Sequence, residues 1–173
     1  MDKTYLIIAG LCLLAFLART GYELLKQAGR VDTKNPVVFA AIATAMGVFL
    51  MSWPFFCPLD PWRIALPAVL SRAGLVLVAV ALVLAVGGLI QLRGVENIDH
   101  LVTTGLYSKF RHPMYAGFIL WIAGWVVFNG AAISLALGLV CVPGILFWQR
   151  LEETALEAQF GEAYRVYKRQ TWF

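Results

Sequence analysis

The run AGLVLVAVALVLAVGGLI at residues 73 to 90 carries no charged side chain, and as a helix it is close to the length that crosses the ~30 Å hydrocarbon layer of a bilayer. In lipid every backbone N–H and C=O must find a partner within the chain, so a run of this kind folds as a helix and its neighbours must pack accordingly. The rest of the chain agrees. Of 173 residues 61% are hydrophobic and only 14% charged, with a mean hydropathy of +0.76. A soluble domain carries roughly 25% charged residues. The composition reads as one compact membrane bundle, and the length suggests a single domain.

Three further apolar blocks flank this one, at 4 to 25, 36 to 59 and 113 to 149. The first, beginning YLIIAGLCLLAFLA, has the length of a signal-peptide core, but Asp2 and Lys3 nearly cancel and ARTG is a poor cleavage site, so it reads as a retained first span. It is expected to end in the polar run RTGYELLKQAGRVDTKN, with the loop covering 19 to 35 and Asn35-Pro36 opening the next helix. The second block ends in WPFFCPLDPW, whose prolines and aromatics suit an interfacial turn. Arg72 is costly at mid-membrane, which places the core of the third span at 73 to 90. The last block is too long for one span, and Asn129-Gly130 divides it into helices at about 114 to 128 and 131 to 149.

The fold expected is all-α: a polytopic membrane bundle of about five transmembrane helices, followed by a C-terminal amphipathic helix on the cytosolic side. Five spans place Arg19, Lys26, Arg30, Lys34, Arg93, Lys109, Arg111, Arg150, Arg165, Lys168 and Arg169 on one face and leave Lys3, Arg63 and Arg72 on the other. By the positive-inside rule the first group faces the cytoplasm and the N-terminus lies outside. The net charge of +4 therefore reflects topology and implies no nucleic-acid partner. In the tail, Leu156, Phe160, Tyr164 and Tyr167 recur at helical spacing while Glu152, Glu153, Glu157, Glu162 and Arg165 fall largely elsewhere on the wheel; Gly161 is expected to bend or break this helix. Cys12, Cys57 and Cys141 lie in or beside apolar stretches with no CxxC and no His or Cys at ligand spacing, so neither a disulfide framework nor a metal site is expected. No clear ionisable residue lies deep in a span on this reading, which argues against transport.

One polar stretch stands out, GLYSKFRHPMYAG at 105 to 117. Pro113 suits the first position of a helix, so 105 to 112 forms a connector into the fourth helix, whose open backbone N–H groups could receive an anion beside Arg111 and His112. Gly105 and Gly117 permit close backbone approach; Tyr107 and Tyr115 offer flat faces with polar tips. Glu152-Glu153 leave the fifth helix on the same side. Acids, cations and aromatics at one mouth make a site for a zwitterion, though an interfacial helix cap explains the connector equally well by itself.

Taken together, HLVTTGLYSKFRHPMYAG (100 to 117) and EETALEAQFGEAYRVYKR (152 to 169) resemble the paired signatures LVTxGxYxxxRHPxYxG and EExxLxxxFGxxYxxY of the isoprenylcysteine carboxyl methyltransferase and phospholipid methyltransferase superfamily, integral membrane enzymes that use S-adenosylmethionine. The first three helices match only in hydrophobicity and number. The resemblance implies one domain over 1–173, with 1–92 a three-helix membrane part and 93–173 the cofactor-binding catalytic part. It implies a pocket for S-adenosyl-L-methionine lined by Tyr107, His112, Tyr115 and Gly117, with Glu152 and Glu153 on the donor's polar groups. Arg111 would sit near the reacting end, so Arg111, His112 and Glu153 are the catalytic candidates.

The implied acceptor is lipophilic, entering from the bilayer while the donor enters from the cytoplasm. A carboxylate acceptor needs no base and could be oriented by Arg111; an amine, as in phosphatidylethanolamine N-methylation, would require Glu153 or His112 to take a proton. No GxGxxG follows a strand, so a soluble Rossmann site is not expected. Membrane sterol reductases that bind NADPH are similar in their C-terminal halves, but their cofactor's phosphates call for more cations than Arg111 and Lys109 supply. A non-catalytic helix scaffold is the remaining alternative. Gly87-Gly88 could serve contacts within one bundle or between protomers.

Overall fold

A computed structural model describes residues 2–92 and 100–173; Arg93, counted above among the cytoplasmic charges, and the proposed part boundary at 92/93 touch on residues outside that set. Among the described residues six α-helices follow one another: α1 (Lys3–Gln27), α2 (Pro36–Phe56), α3 (Ala68–Leu92), α4 (Pro113–Asn129), α5 (Ala132–Phe160) and α6 (Glu162–Gln170). Short 3-10 turns at Cys57–Leu59 and Gly105–Ser108 extend α2 and precede α4. No strand occurs among the described residues. Asp2 and Asn35 cap α1 and α2 by accepting from Thr4 N and Val37 N, both at 2.9 Å, and Pro36 and Pro113 occupy first positions where their missing N–H is harmless.

Four helices, α1, α2 with its 3-10 extension, α3 and α5, are long and apolar enough to cross a membrane. The chain is an integral membrane protein, and its outer surface says the same: Leu14 and Val83 are each 64% exposed and Ile90 70%, a pattern that water would penalise and lipid does not. α4 spans 17 residues, roughly 25 Å, short of the hydrocarbon thickness. α5 spans 29 residues, roughly 44 Å, so its C-terminal turns with Glu152 and Glu153 project beyond the apolar layer.

The expected loop over 19 to 35 is corrected. α1 continues through Gln27, and the chain leaves the helix only at Ala28 and Gly29, the latter with φ 65. Arg19 and Glu23 are one helical turn apart and pair with each other, and both are buried, at 9% and 3% exposure. Arg19 and Glu23 thus belong to a helix long and apolar enough to cross a membrane, toward its C-terminal end. Nothing in the local sequence separates an exposed i,i+4 pair from a buried one; the partner helices decide.

α3 and α4 form the most extensive helix pair, built on small residues one heptad apart. A Cβ on Gly74 would stand 2.5 Å from Phe128 N, and one on Gly124 2.8 Å from Gly74 O. Gly88 faces Pro113 and Met114, and Gly87 faces Leu106, so the Gly87-Gly88 pair serves contacts within the bundle. On the other side of α4, Phe16, Phe49, Trp53, Phe56 and Trp148 pack as tilted and edge-on aromatic neighbours. The α4–α5 turn forms at Asn129-Gly130 as expected, with Gly130 at φ 60. Ala131 cannot cap α5; Asp60, from the turn after α2, accepts instead from Ser134 N (2.7 Å) and Ser134 Oγ (2.6 Å).

Candidate active site

The connector is fixed at both ends. Gly105 adopts φ 63 with the Gln91 amide lying where a Cβ would be, and Leu106 N donates to Gln91 Oε1 at 2.8 Å, tying the connector to the end of α3. At its far end the backbone of Arg111 donates to the carbonyls of Trp172 (2.9 Å) and Phe173 (3.0 Å), His112 N donates to Phe173 O (3.1 Å), and Trp172 N returns a bond to Lys109 O (2.7 Å). The backbone amides of Arg111 and His112, just before α4, are thus taken by the chain after α6.

Arg111 is the hub of this arrangement. Its Nε donates to Glu153 Oε1 at 3.0 Å, and its Nη1 to the carbonyls of Lys168 (3.1 Å) and Thr171 (2.7 Å). Glu153 also accepts from Lys168 Nζ at 2.5 Å. One carboxylate on the projecting end of α5 therefore clamps the connector and α6 together. His112 first, then Lys168 and Arg111, hold the Glu153 carboxyl well below the usual carboxylate range, against burial, which pushes it up. The His112 influence is one of proximity: Nε2 stands 3.5 Å from Glu153 Oε1 and makes no hydrogen bond with it.

Between connector, α4, α5 and α6 lies a narrow cleft of about 30 Å³, lined among others by His100, Tyr107, Arg111, His112, Tyr115, Glu152, Tyr164 and Tyr167. Tyr167 OH donates to Tyr107 O at 2.7 Å, bonding α6 to the connector, and burial pushes its phenol up to about 12. His112 is 5% exposed and Tyr164 fully buried, yet His112 Nε2 and Tyr164 OH have no hydrogen-bond partner among the described residues. Two orphaned polar atoms in one cleft are unusual, because buried polar groups are nearly always bonded. The His112 and Tyr115 rings lie 5.7 Å apart with their planes tilted by 39°, and Glu152 Oε2 lies 3.9 Å from His112 Nδ1.

Beside the cleft, between α1 and α2 on one side and α3 and α4 on the other, opens a cavity of about 540 Å³. Its depth is apolar, including Ile42, Met46, Leu50, Ala85, Leu89 and Phe118, and one end is polar, with Arg19, Glu23, Lys26 and Gln159. Met114, Tyr115, Glu152 and Leu156 border both spaces.

Of the residues singled out from the sequence, Tyr107, Arg111, His112, Tyr115 and Glu152 gather around the cleft. Glu153 stands behind Arg111 and His112 within the clamp. Gly117 lets α4 approach α3, a Cβ there meeting Ala81 O and Ala85 N at 2.8 Å, and it borders the large cavity. Sequence reading missed the polar end of α1 as part of the site. Its signal was present: an Arg and a Glu four residues apart, following directly on an apolar helix.

The sequence profile of the family described as Phospholipid methyltransferase matches residues 69–163, more than half of the chain. Curated relatives include the Protein-S-isoprenylcysteine O-methyltransferase of Schizosaccharomyces pombe, 39% identical over 78 residues, 43% of this chain and 33% of the relative. The protein of the same name from Dictyostelium discoideum is 38% identical, over 43% of this chain and 32% of its own. Protein-S-isoprenylcysteine O-methyltransferase B of Arabidopsis thaliana is 38% identical over 46% of this chain and 40% of the relative. The chain spans about a third of the length of the first two relatives, at 33% and 32%. No solved structure matches it.

Proposed function

Matched over more than half its length, the chain belongs to the phospholipid methyltransferase family, and on that basis we propose that it transfers a methyl group from S-adenosylmethionine to a lipophilic acceptor. The donor occupies the cleft and the acceptor the neighbouring cavity, with the methyl passing at their shared border of Met114, Tyr115 and Glu152. The single observation that carries this is the pair of orphaned polar atoms, His112 Nε2 and Tyr164 OH, buried in a cleft that already holds a carboxylate. Acids, an imidazole and tyrosine faces fit a donor with an ammonium, a ribose, a carboxylate and a sulfonium. Tyr107, His112, Tyr115 and Glu152 are assigned to it, with Glu153 supporting Arg111 and His112 from behind and Gly117 keeping α4 close to α3. Admission of so large a molecule requires the cleft of about 30 Å³ to widen, and α6, held by side-chain bonds across the Gly161 break, is the wall able to move.

The donor supplies an activated methyl on sulfur, and in-line attack by the acceptor breaks the S–C bond as the new bond forms, leaving a thioether. The chain's own residues bind, align and exclude water. A carboxylate acceptor of the isoprenylcysteine type is favoured over the amine of phosphatidylethanolamine. An amine must lose a proton, and Glu153, held well below the usual carboxylate range, is a weak base. Arg111 and Glu153 are assigned as the frame of the site and His112 as its contact with the reacting end. Every relative named above is a methyltransferase by name, which sets the reductase reading aside.

The same reading places five helices in the membrane, with the short α4 as the fifth span, the amphipathic α6 against the cytoplasmic surface, and the N-terminus outside. It treats 1–173 as one domain whose first 92 residues form the acceptor wall. The partners are a lipid or lipidated acceptor and the bilayer itself. Calorimetric titration of the detergent-purified protein with S-adenosylmethionine and with NADPH tests the core of it. Selective binding of the methyl donor, weakened at least tenfold by Glu152→Ala, is expected; binding of NADPH alone, or of neither, refutes it.

A further inference from the structure

On the methyl-transfer reading above, we infer that Arg19 of α1, oriented by Glu23, receives the anionic end of the acceptor. Both residues line the large cavity, and they do so at its polar end, next to the Tyr115 and Glu152 border with the cleft. The cavity is otherwise apolar, so it suits a molecule with a hydrocarbon tail and one charged end. Arg19 and Lys26 are the cations among its described lining residues.

A buried ion pair is seldom a source of stability. Removing two charges from water costs several kcal/mol, and apolar residues of similar size usually serve packing as well or better. Within a membrane helix an ionisable residue facing a cavity points to a ligand. The Arg19 guanidinium carbon lies 5.3 and 5.4 Å from the centroids of the Tyr22 and Trp148 rings, in addition to its pairing with Glu23. A cation already positioned by these neighbours loses little entropy when a carboxylate arrives, which suits it to bidentate recognition.

Arg111, the other arginine near the border, is already committed. Its Nε and Nη1 bond Glu153 and the carbonyls of Lys168 and Thr171, so engaging an acceptor would dismantle the clamp that holds α6. Arg19 lies outside the family-matched segment 69–163, in the part of the chain that faces the acceptor. Acceptor selection and donor binding are therefore carried by different parts of the fold.

The test measures methyl transfer from S-adenosylmethionine to an N-acetyl-S-prenylcysteine, using the full chain in nanodiscs, with KM for each substrate. Arg19→Gln is expected to raise the acceptor KM at least tenfold and leave the donor KM within about twofold; Glu23→Gln, which loosens the guanidinium, raises the acceptor KM less. If Arg19→Gln does not hold its fold, Arg19→Lys decides, because it retains the charge but not the planar fork. A selective rise in acceptor KM of a few fold supports the inference. An unchanged acceptor KM, or parallel changes for both substrates, overturns it while leaving the methyl-transfer reading intact. A wild-type protein that binds no donor and transfers no methyl overturns both.

Discussion

Glu153→Gln removes one negative charge from the point where α5, the connector and α6 meet. In the native protein that carboxylate accepts from Arg111 Nε at 3.0 Å and Lys168 Nζ at 2.5 Å. Glutamine keeps the shape and one oxygen, so both ion pairs become hydrogen bonds from a cation to a neutral amide or are lost. The Arg111 and Glu153 side chains are each only 14% exposed, and the loss there amounts to about 1.5 kcal/mol. Lys168 is 41% exposed, and solvent takes over most of its bond, leaving a loss of about 0.5 kcal/mol. Together the clamp weakens by about 2 kcal/mol. Because α6 is a separate short helix beyond the Gly161 break, this shows first as local opening, and amide exchange over 162–170 should accelerate roughly 30-fold while α3 amides stay unchanged. Hydrogen–deuterium exchange by mass spectrometry reads this directly. Glu162→Gln is the control: its partner Arg169 is 68% exposed, and the change should be under about twofold. If Glu153→Gln leaves α6 exchange within about threefold of wild type, the clamp is not what holds the helix.

Acidification provides a related check. The Glu153 carboxyl is held below its unfolded value of roughly 4.3, so its stabilisation is complete above that value and is lost only as pH falls well below it; α6 protection should be unchanged between pH 7 and about pH 5. Tyr167→Phe strands the Tyr107 carbonyl, which accepts the hydroxyl at 2.7 Å, and should lower the melting temperature in detergent by about 5 °C with weaker donor binding. Gly74→Ala drives a methyl to within 2.5 Å of Phe128 N and should destabilise the bundle by about 1–3 kcal/mol, whereas Gly10→Ala, with nothing within 4 Å, should be neutral or slightly stabilising; thermal unfolding compares the two.

Local chemistry wrote much of this protein into its sequence. Uninterrupted apolar runs leave lipid-embedded helices as the available structure, Pro36 and Pro113 open helices because their fixed φ suits a first position, and Gly130 supplies the left-handed turn between α4 and α5. The proximity of Arg111, His112 and the Glu152-Glu153 pair was legible for the same reason: the start of α4 and the C-terminal part of α5 lie at one end of the bundle and bring those residues together. What the sequence could not decide depends on which helix lies beside which. Arg19 and Glu23 look like the solvated end of a span until Trp148 and the wall of the cavity enclose them. Asp60 looks like a turn residue until it caps α5 from more than seventy positions away. Nothing in the connector's own sequence shows that the amides of Arg111 and His112 bond to Trp172 and Phe173, some sixty positions away. Hydropathy and backbone preference act over a few residues and survive without a partner, while burial, long-range capping and the shape of a cavity exist only once distant helices are packed.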